Sequence, residues 1–194
     1  LDLERSSEIR DQLGILNSTV VGTVSSLVAY EGLETLIRAL PLLGRNVELV
    51  LVGDGEERSN LQRLCESMGI SDRVHFPGKQ PASEIQGWYS IFDVFVVPRI
   101  DSSVTRNVTP IKPLNALALG IPVVCSDLPA LKEVTGGFAR FVKPGSPSEL
   151  AKGISEAIDD PEAFLADRPW LEERTWEANA TKLAKLYKEL TNYS

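Results

Sequence analysis

The segment from Asp93 to Asp127, DVFVVPRIDSSVTRNVTPIKPLNALALGIPVVCSD, limits the folds open to this chain more than any other stretch. Val94 to Val97 is an apolar run that reads as a strand and stops at Pro98. A polar loop follows. Thr109-Pro110 then has the composition of a helix start, because threonine caps free amides and proline fits the first turn, where no amide hydrogen is needed. Ile111, Leu114 and Ala118 recur at helical spacing and predict the buried side of that helix. Gly120 ends it, and Ile121 to Cys125 is the next apolar strand. Strand, loop, helix and strand make one βαβ unit. In open sheets of such units, ligands bind outside the carboxyl ends of the strands. A helix N-terminus at that edge offers amides and a positive dipole, which suits a phosphate.

The rest of the chain repeats the alternation. Val20 to Leu27, Val47 to Val52, Val74 to Phe76 and Ala139 to Val142 read as strands, the second nearly all apolar, as expected when helices cover both faces of a parallel sheet. Between them, Gly32 to Leu40 carries Leu33, Leu36, Ile37 and Leu40 at i, i+3, i+4, i+7, and Leu61, Leu64, Cys65 and Met68 repeat that spacing before Gly69. Ser83 to Ile91 is a third helix. Ser146-Pro147-Ser148-Glu149 has the wording of a capping box and opens a helix that buries Leu150, Ile154 and Ile158. A last helix from about Thr175 to Leu190 places Trp176, Ala180, Leu183, Tyr187 and Leu190 on one face. The fold class is therefore α/β: a doubly wound, Rossmann-like parallel sheet of about six strands with helices on both faces.

Composition narrows the chemistry. A chain of 194 residues with 43% hydrophobic content can bury one sizeable core. Its net charge of −7 argues against nucleic acid as the main partner. Cys65 and Cys125 both sit in apolar patterns and read as small buried hydrophobes of a reducing compartment, which with the lack of an apolar run of spanning length points to the cytoplasm. His75 is the single histidine, so histidine metal clusters and His-based triads are not expected.

Several residues are candidates for a site. The amides of Val108 and Thr109, the Thr109 hydroxyl and Lys112 can cradle a diphosphate, or form an ordinary capped helix with a solvent-facing lysine. Asn115 falls on the predicted buried side, where it must bond neighbouring backbone or a ligand, since an unpaired buried amide costs roughly 1–3 kcal/mol. Gly53-Asp54-Gly55-Glu56 is a glycine-rich turn after a strand and reads equally as a surface turn. Arg99, just past a strand end, suits either an anion or a structural ion pair. The backbone from Phe76 to Gln80, including Lys79, ends a strand at the same edge and can hold a base.

Taken together, SLVAYEGLETLIRAL, LVLVGDGEERSNL, DRVHFPG, DVFVVPR, VTPIKPLNALALGIPVVCSD and RTWEANATKLAKLY resemble the C-terminal domain of family 4 retaining glycosyltransferases of the GT-B fold. The resemblance runs from about Val20 to Leu190. It implies two Rossmann-like halves with the active site between them, the C-terminal half holding a nucleotide diphosphate sugar and the N-terminal half most of the acceptor. On that reading residues 1–19 are a lead-in helix and linker from a missing N-terminal domain, 20–160 bind the nucleotide sugar, and 161–194 dock back towards the missing domain. The address is then cytoplasmic, with the missing domain able to hold the protein at the inner face of the membrane.

The resemblance also assigns residues. Two family glutamates, one on donor-sugar hydroxyls and one on the ribose, match Asn107 and Asn115, so the catalytic position is Asn107 with an amide in place of a carboxylate. An amide stabilises developing oxocarbenium charge less than a carboxylate does. The family's Arg and Lys on the diphosphate match Ser26 and Glu31, leaving Arg99 and Lys112 to supply positive charge. Ser25 stands where the subgroup tends to have glycine and would crowd the backbone approach to phosphate. The implied donor-binding set is Ser25, Ser26, Gly53, Lys79, Arg99, Val108, Thr109, Lys112 and Asn115. No metal and no cofactor are expected, and the substrate is the nucleotide sugar. The isolated half should be inactive. Two other readings stand beside this one: a degenerate, non-catalytic binding or scaffold domain, and a nucleotide-sugar epimerase, which the single histidine and the two asparagines disfavour.

Overall fold

The computed structural model describes residues 3–191. In chain order the strands are β1 (Thr19–Val24), β2 (Val47–Val52), β3 (Val74–Gly78), β4 (Val94–Val97), β5 (Val123–Ser126) and β6 (Arg140–Val142). The α-helices are α1 (Leu3–Leu13), α2 (Leu33–Ala39), α3 (Arg58–Met68), α4 (Ile85–Tyr89), α5 (Ser103–Asn107), α6 (Lys112–Ala118), α7 (Pro129–Thr135), α8 (Pro147–Asp159), α9 (Arg168–Glu172) and α10 (Trp176–Thr191). The six strands form one sheet in the order β3-β2-β1-β4-β5-β6, and every neighbouring pair is parallel. This is the expected doubly wound α/β architecture, with its change of winding direction between β1 and β4.

The strands divide their side chains by the period-2 rule. Val21, Leu49, Leu51, Val94, Val96, Val124 and Val142 meet Leu36 and Ile37 of α2, Leu61 of α3 and Ile154 of α8. Val20, Val50, Val52, Phe95, Val97 and Cys125 face the other way, onto Ile9 of α1, Trp88 and Tyr89 of α4, Leu117 of α6 and Leu131 of α7. Both cysteines are buried and free. Ser146 caps α8 by accepting from the Glu149 amide at 3.4 Å, with Pro147 in the first turn.

The structure corrects several local expectations. β1 ends at Val24, not Leu27, because the chain turns away where the Ser25 and Leu27 carbonyls meet the backbones of Gly53 and Gly55. The polar loop after β4 holds a helix, α5, capped by Ser102 and Thr105 in a reciprocal box. α7 and α9, each opened by a proline, were also not anticipated. α6 starts at Lys112 with Pro113 in its first turn, so Thr109 is not its cap. Its buried side is Pro113, Ala116 and Leu117, while Ile111, Asn115 and Ala118 are exposed. The apolar spacing at 111, 114 and 118 marked the outward face. Two stripes compete on this short helix, and the one carrying Ala116 and Leu117 packs into the core.

α1 packs into the second core through Ile9, and Arg10 ties it to the Ile91 carbonyl and to Asp93 at 2.9 Å. At the other end, Trp170 of α9 packs on Phe138, with Arg174 3.8 Å above its ring. α10 follows: none of its residues is buried, and Trp176, at its start, is 82% exposed. Of the expected lead-in and closing segments, residues 1–2 and 192–194 lie outside the described part. No helix among the described residues is long and apolar enough to cross a membrane.

Candidate functional site

At the carboxyl edge of the sheet the loops after β1, β2 and β3 meet Ile85 of α4 and Lys112 of α6 around a cleft of about 340 Å³. Gly53 lets it form. Its φ is +135°, and a Cβ there would lie 1.9 Å from the Ser25 carbonyl oxygen, so only glycine allows the turn after β2 to close on the turn after β1. Ser25 is buried and its hydroxyl folds back onto the Ser26 carbonyl at 3.1 Å. Ser26 is exposed, and both serines line the cleft with Gly53, Asp54, Lys79 and Gln80. The β3 end is held by Arg58, which donates to the Phe76 carbonyl at 2.8 Å, and by Gln80, which donates to that of Pro77 at 2.9 Å. Lys112, at the start of α6, closes the opposite wall.

Behind Lys112 lies a charged cluster. Glu31 is 3% exposed. Its Oε1 accepts from Arg99 Nη2 at 2.9 Å and from Lys112 Nζ at 3.4 Å. The other guanidinium nitrogen of Arg99, Nη1, donates to the Val108 carbonyl at 3.0 Å, and the Tyr30 ring lies 5.8 Å from the guanidinium carbon. Two cations share one carboxylate, so the cluster carries one surplus positive charge beside the cleft. Burial pulls the Lys112 pKa below its ordinary value; Glu31 opposes that pull and Arg99 adds to it.

The nominated residues separate into three places. Ser25, Ser26, Gly53, Lys79 and Lys112 line the cleft together. Arg99 is buried behind the cleft and bonded to the carbonyl of Val108, whose own side chain is exposed, and of the two alternatives open for Arg99 the ion pair is the one observed. The Val108 amide is spent on the Val104 carbonyl at 2.8 Å and cannot take part in an anion cradle. Thr109, Asn107 and Asn115 are exposed and do not line the cleft. Asn107 Nδ2 donates to the Ser103 carbonyl at 2.7 Å within α5. The buried Tyr89 hydroxyl donates to the Lys112 carbonyl at 3.4 Å, and burial raises its pKa to about 12, a shift that Asn115 opposes. Asn115 lies in a second groove of about 270 Å³, with Ile111, Leu114, Arg174 and Trp176.

Asp54 and Gln80 entered the candidates only as parts of a turn and a strand end, and Glu31 only as the position of a family lysine, with no role of its own. For Glu31 a signal existed: Tyr30-Glu31-Gly32 puts a carboxylate directly before a glycine at a strand-to-helix turn. Its value depends on Arg99, 68 residues away, which no local pattern connects to it.

Comparison with known proteins gives one family. The model described as "Glycosyl transferases group 1" matches residues 5–185. A GDP-mannose-dependent alpha-(1-6)-phosphatidylinositol monomannoside mannosyltransferase of Mycolicibacterium smegmatis is 30% identical over 197 aligned positions, which cover 95% of this chain and 52% of that protein. A D-inositol 3-phosphate glycosyltransferase of Corynebacterium jeikeium is 31% identical over 93% of this chain and 46% of its own length. Among solved structures, Anabaena Alr3699/HepE in complex with UDP-glucose superposes with a TM-score of 0.70 at 27% identity, covering 84% of this chain and 45% of that one. The chain thus spans about half the length of the relatives it matches.

Proposed function

The chain belongs to the group 1 glycosyl transferases, of GT-B type, and from that premise we propose that it is the donor-binding half of a retaining, metal-independent glycosyltransferase. The donor is a nucleotide diphosphate sugar and the acceptor a hydroxyl. The observation that carries this reading is the cleft at the carboxyl edge of the sheet, where Lys112 meets the backbone turns at Ser25-Ser26 and Gly53. Gly53 packs the turn after β2 onto Ser25 and so fixes the shape of the cleft wall, and a half-buried lysine supplies charge where a leaving diphosphate needs it. The base takes the β3 end near Lys79 and Gln80. The similarity to a UDP-glucose complex supports the same donor class, without choosing the base or the sugar for this chain.

The acceptor is held by a second half. The exposed apolar side chains of α10, among them Leu183, Leu186, Tyr187 and Leu190, support a docking role for that helix. In this arrangement the donor half alone binds nucleotide and turns over nothing.

A second reading, a non-catalytic binding domain of the same fold, has one observation in its favour. Asn107 spends its amide on its own helix, and neither it nor Asn115 reaches the cleft. A thermal-shift screen of nucleoside diphosphates and their sugars tests the leading reading. At a hundredfold excess over its dissociation constant a true ligand adds roughly 2.7 kcal/mol of stability. A flat response across the panel would overturn donor binding. If nucleotide binds, introducing Asn107→Glu and Asn115→Glu into a protein that carries both halves separates the two readings. Turnover that appears only in the double variant marks the wild type as non-catalytic.

A further inference from the structure

Lys112 and Arg99 are both bonded to Glu31, yet they are bonded differently. Arg99 is 7% exposed at its side chain and is held at two ends, by Glu31 at 2.9 Å and by the Val108 carbonyl at 3.0 Å. It cannot leave without stranding a buried charge. Lys112 is 28% exposed, lines the cleft, and touches the same carboxylate oxygen at a longer 3.4 Å. Its flexible stem carries a compact charge that can turn to a new partner without breaking a planar fork. One of the two cations is therefore a fixture and the other is free to move.

We propose that Glu31 is a positioning residue that stands in for phosphate: a buried carboxylate that holds the Lys112 ammonium at the cleft wall and yields it to the donor's diphosphate. The proposal rests on the reading of the cleft as a donor site. The structure builds the exchange into the turn before α2. Ile100 N donates to the Tyr30 carbonyl at 3.1 Å, and Gly32 packs on the Pro98 carbonyl, so Glu31 is fixed to the end of β4 by backbone on both sides. A carboxylate so fixed cannot follow Lys112 towards a ligand. Burial of Lys112 gives the ammonium a further reason to accept a doubly charged partner, since one carboxylate shared with Arg99 leaves it under-compensated. The consequence is a donor site whose affinity is held down by an internal competitor.

The test is a double-substitution cycle read by calorimetry with uridine and guanosine diphosphates, on wild type, Glu31→Gln, Lys112→Met and the pair. Removing the competing charge should tighten diphosphate binding about tenfold, the size expected for coupled close charges. Lys112→Met should weaken it, and in the Lys112→Met background Glu31→Gln should no longer tighten it. Glu31→Asp, which keeps a charge for Arg99 but shortens its reach to Lys112, should shift affinity in the same direction by less, and serves if the glutamine variant does not fold. Wild-type binding with equal affinity in Glu31→Gln, or an equal effect of Glu31→Gln with and without Lys112, overturns the inference while leaving the donor site standing. Absence of saturable heat in the wild type with either nucleotide overturns both.

Discussion

The α-carbon of Gly32 rests against the carbonyl of Pro98, so closely that a Cβ on it would lie 2.1 Å from that oxygen. Gly32 also has φ +69°, in the left-handed region. These two facts bring the turn after β1 onto the end of β4, and the pairing of Glu31 with Arg99 follows from them. Gly32→Ala therefore meets both an unfavourable φ and a backbone atom that cannot move alone. We expect a loss of about 3 kcal/mol or more in urea unfolding, against about 1 kcal/mol for Gly14→Ala, where φ is +73° and nothing lies within 4 Å. Equal losses at the two positions would show that the contact with Pro98 carries no energy.

Arg99→Gln removes the better-bonded partner of a carboxylate that is 3% exposed. Truncating one side of a buried ion pair typically costs about 3–5 kcal/mol, because the other charge stays buried. Lys112, at 3.4 Å, compensates in part, so the lower end of that range is expected. Adding Glu31→Gln to Arg99→Gln should recover much of the loss. Chemical denaturation of the three variants measures this directly.

The depressed pKa of Lys112 makes stability depend on alkaline pH in a stated direction. The unfolded lysine titrates near its ordinary value of 10.5 and the folded one below it. Between the two values the unfolded chain binds more protons, so stability rises with pH through that window; below it, the cost of a half-buried ammonium is present in full. Lys112→Met should abolish this rise. Nucleotide affinity should run the other way, falling as pH climbs through the folded pKa, because a diphosphate needs the charged ammonium. Urea unfolding and calorimetry over the alkaline range, compared with Lys112→Met, check both signs.

α10 has no buried residue, and a 16-residue helix by itself is marginal in water. Amide hydrogens from Trp176 to Thr191 should exchange far faster than those of β1 or β4, whose residues are buried on both faces of the sheet. Ending the chain after Arg174, which keeps the stacking on Trp170, should leave the unfolding midpoint of the remainder within about 2 °C, given that exposed surface contributes little to stability. Slow exchange in α10 would instead mean that its apolar face is covered in solution.

Patterns of residue type and spacing determined the architecture of this protein. Val47–Val52 and Val94–Val97 are apolar runs too short for helices and too continuous for a one-sided sheet, and they are strands with the predicted ends. Ser146-Pro147 opens α8 where expected, because a cap acts over three residues and can be read locally. The family wording also lay open in the chain, and five residues nominated from it share one cleft. Tertiary structure alone decided what those residues do. The apolar stripe at Ile111 and Leu114 turned outward because a seven-residue helix between prolines is oriented by its packing on the sheet, not by its own periodicity. Whether Arg99 waits for an anion or already holds one depends on Glu31, and the two meet only because strands β1 and β4, far apart in the chain, are neighbours in the sheet. Local sequence sets which elements form. Charge pairing across a switch point is a property of distances that exist only once the sheet is assembled.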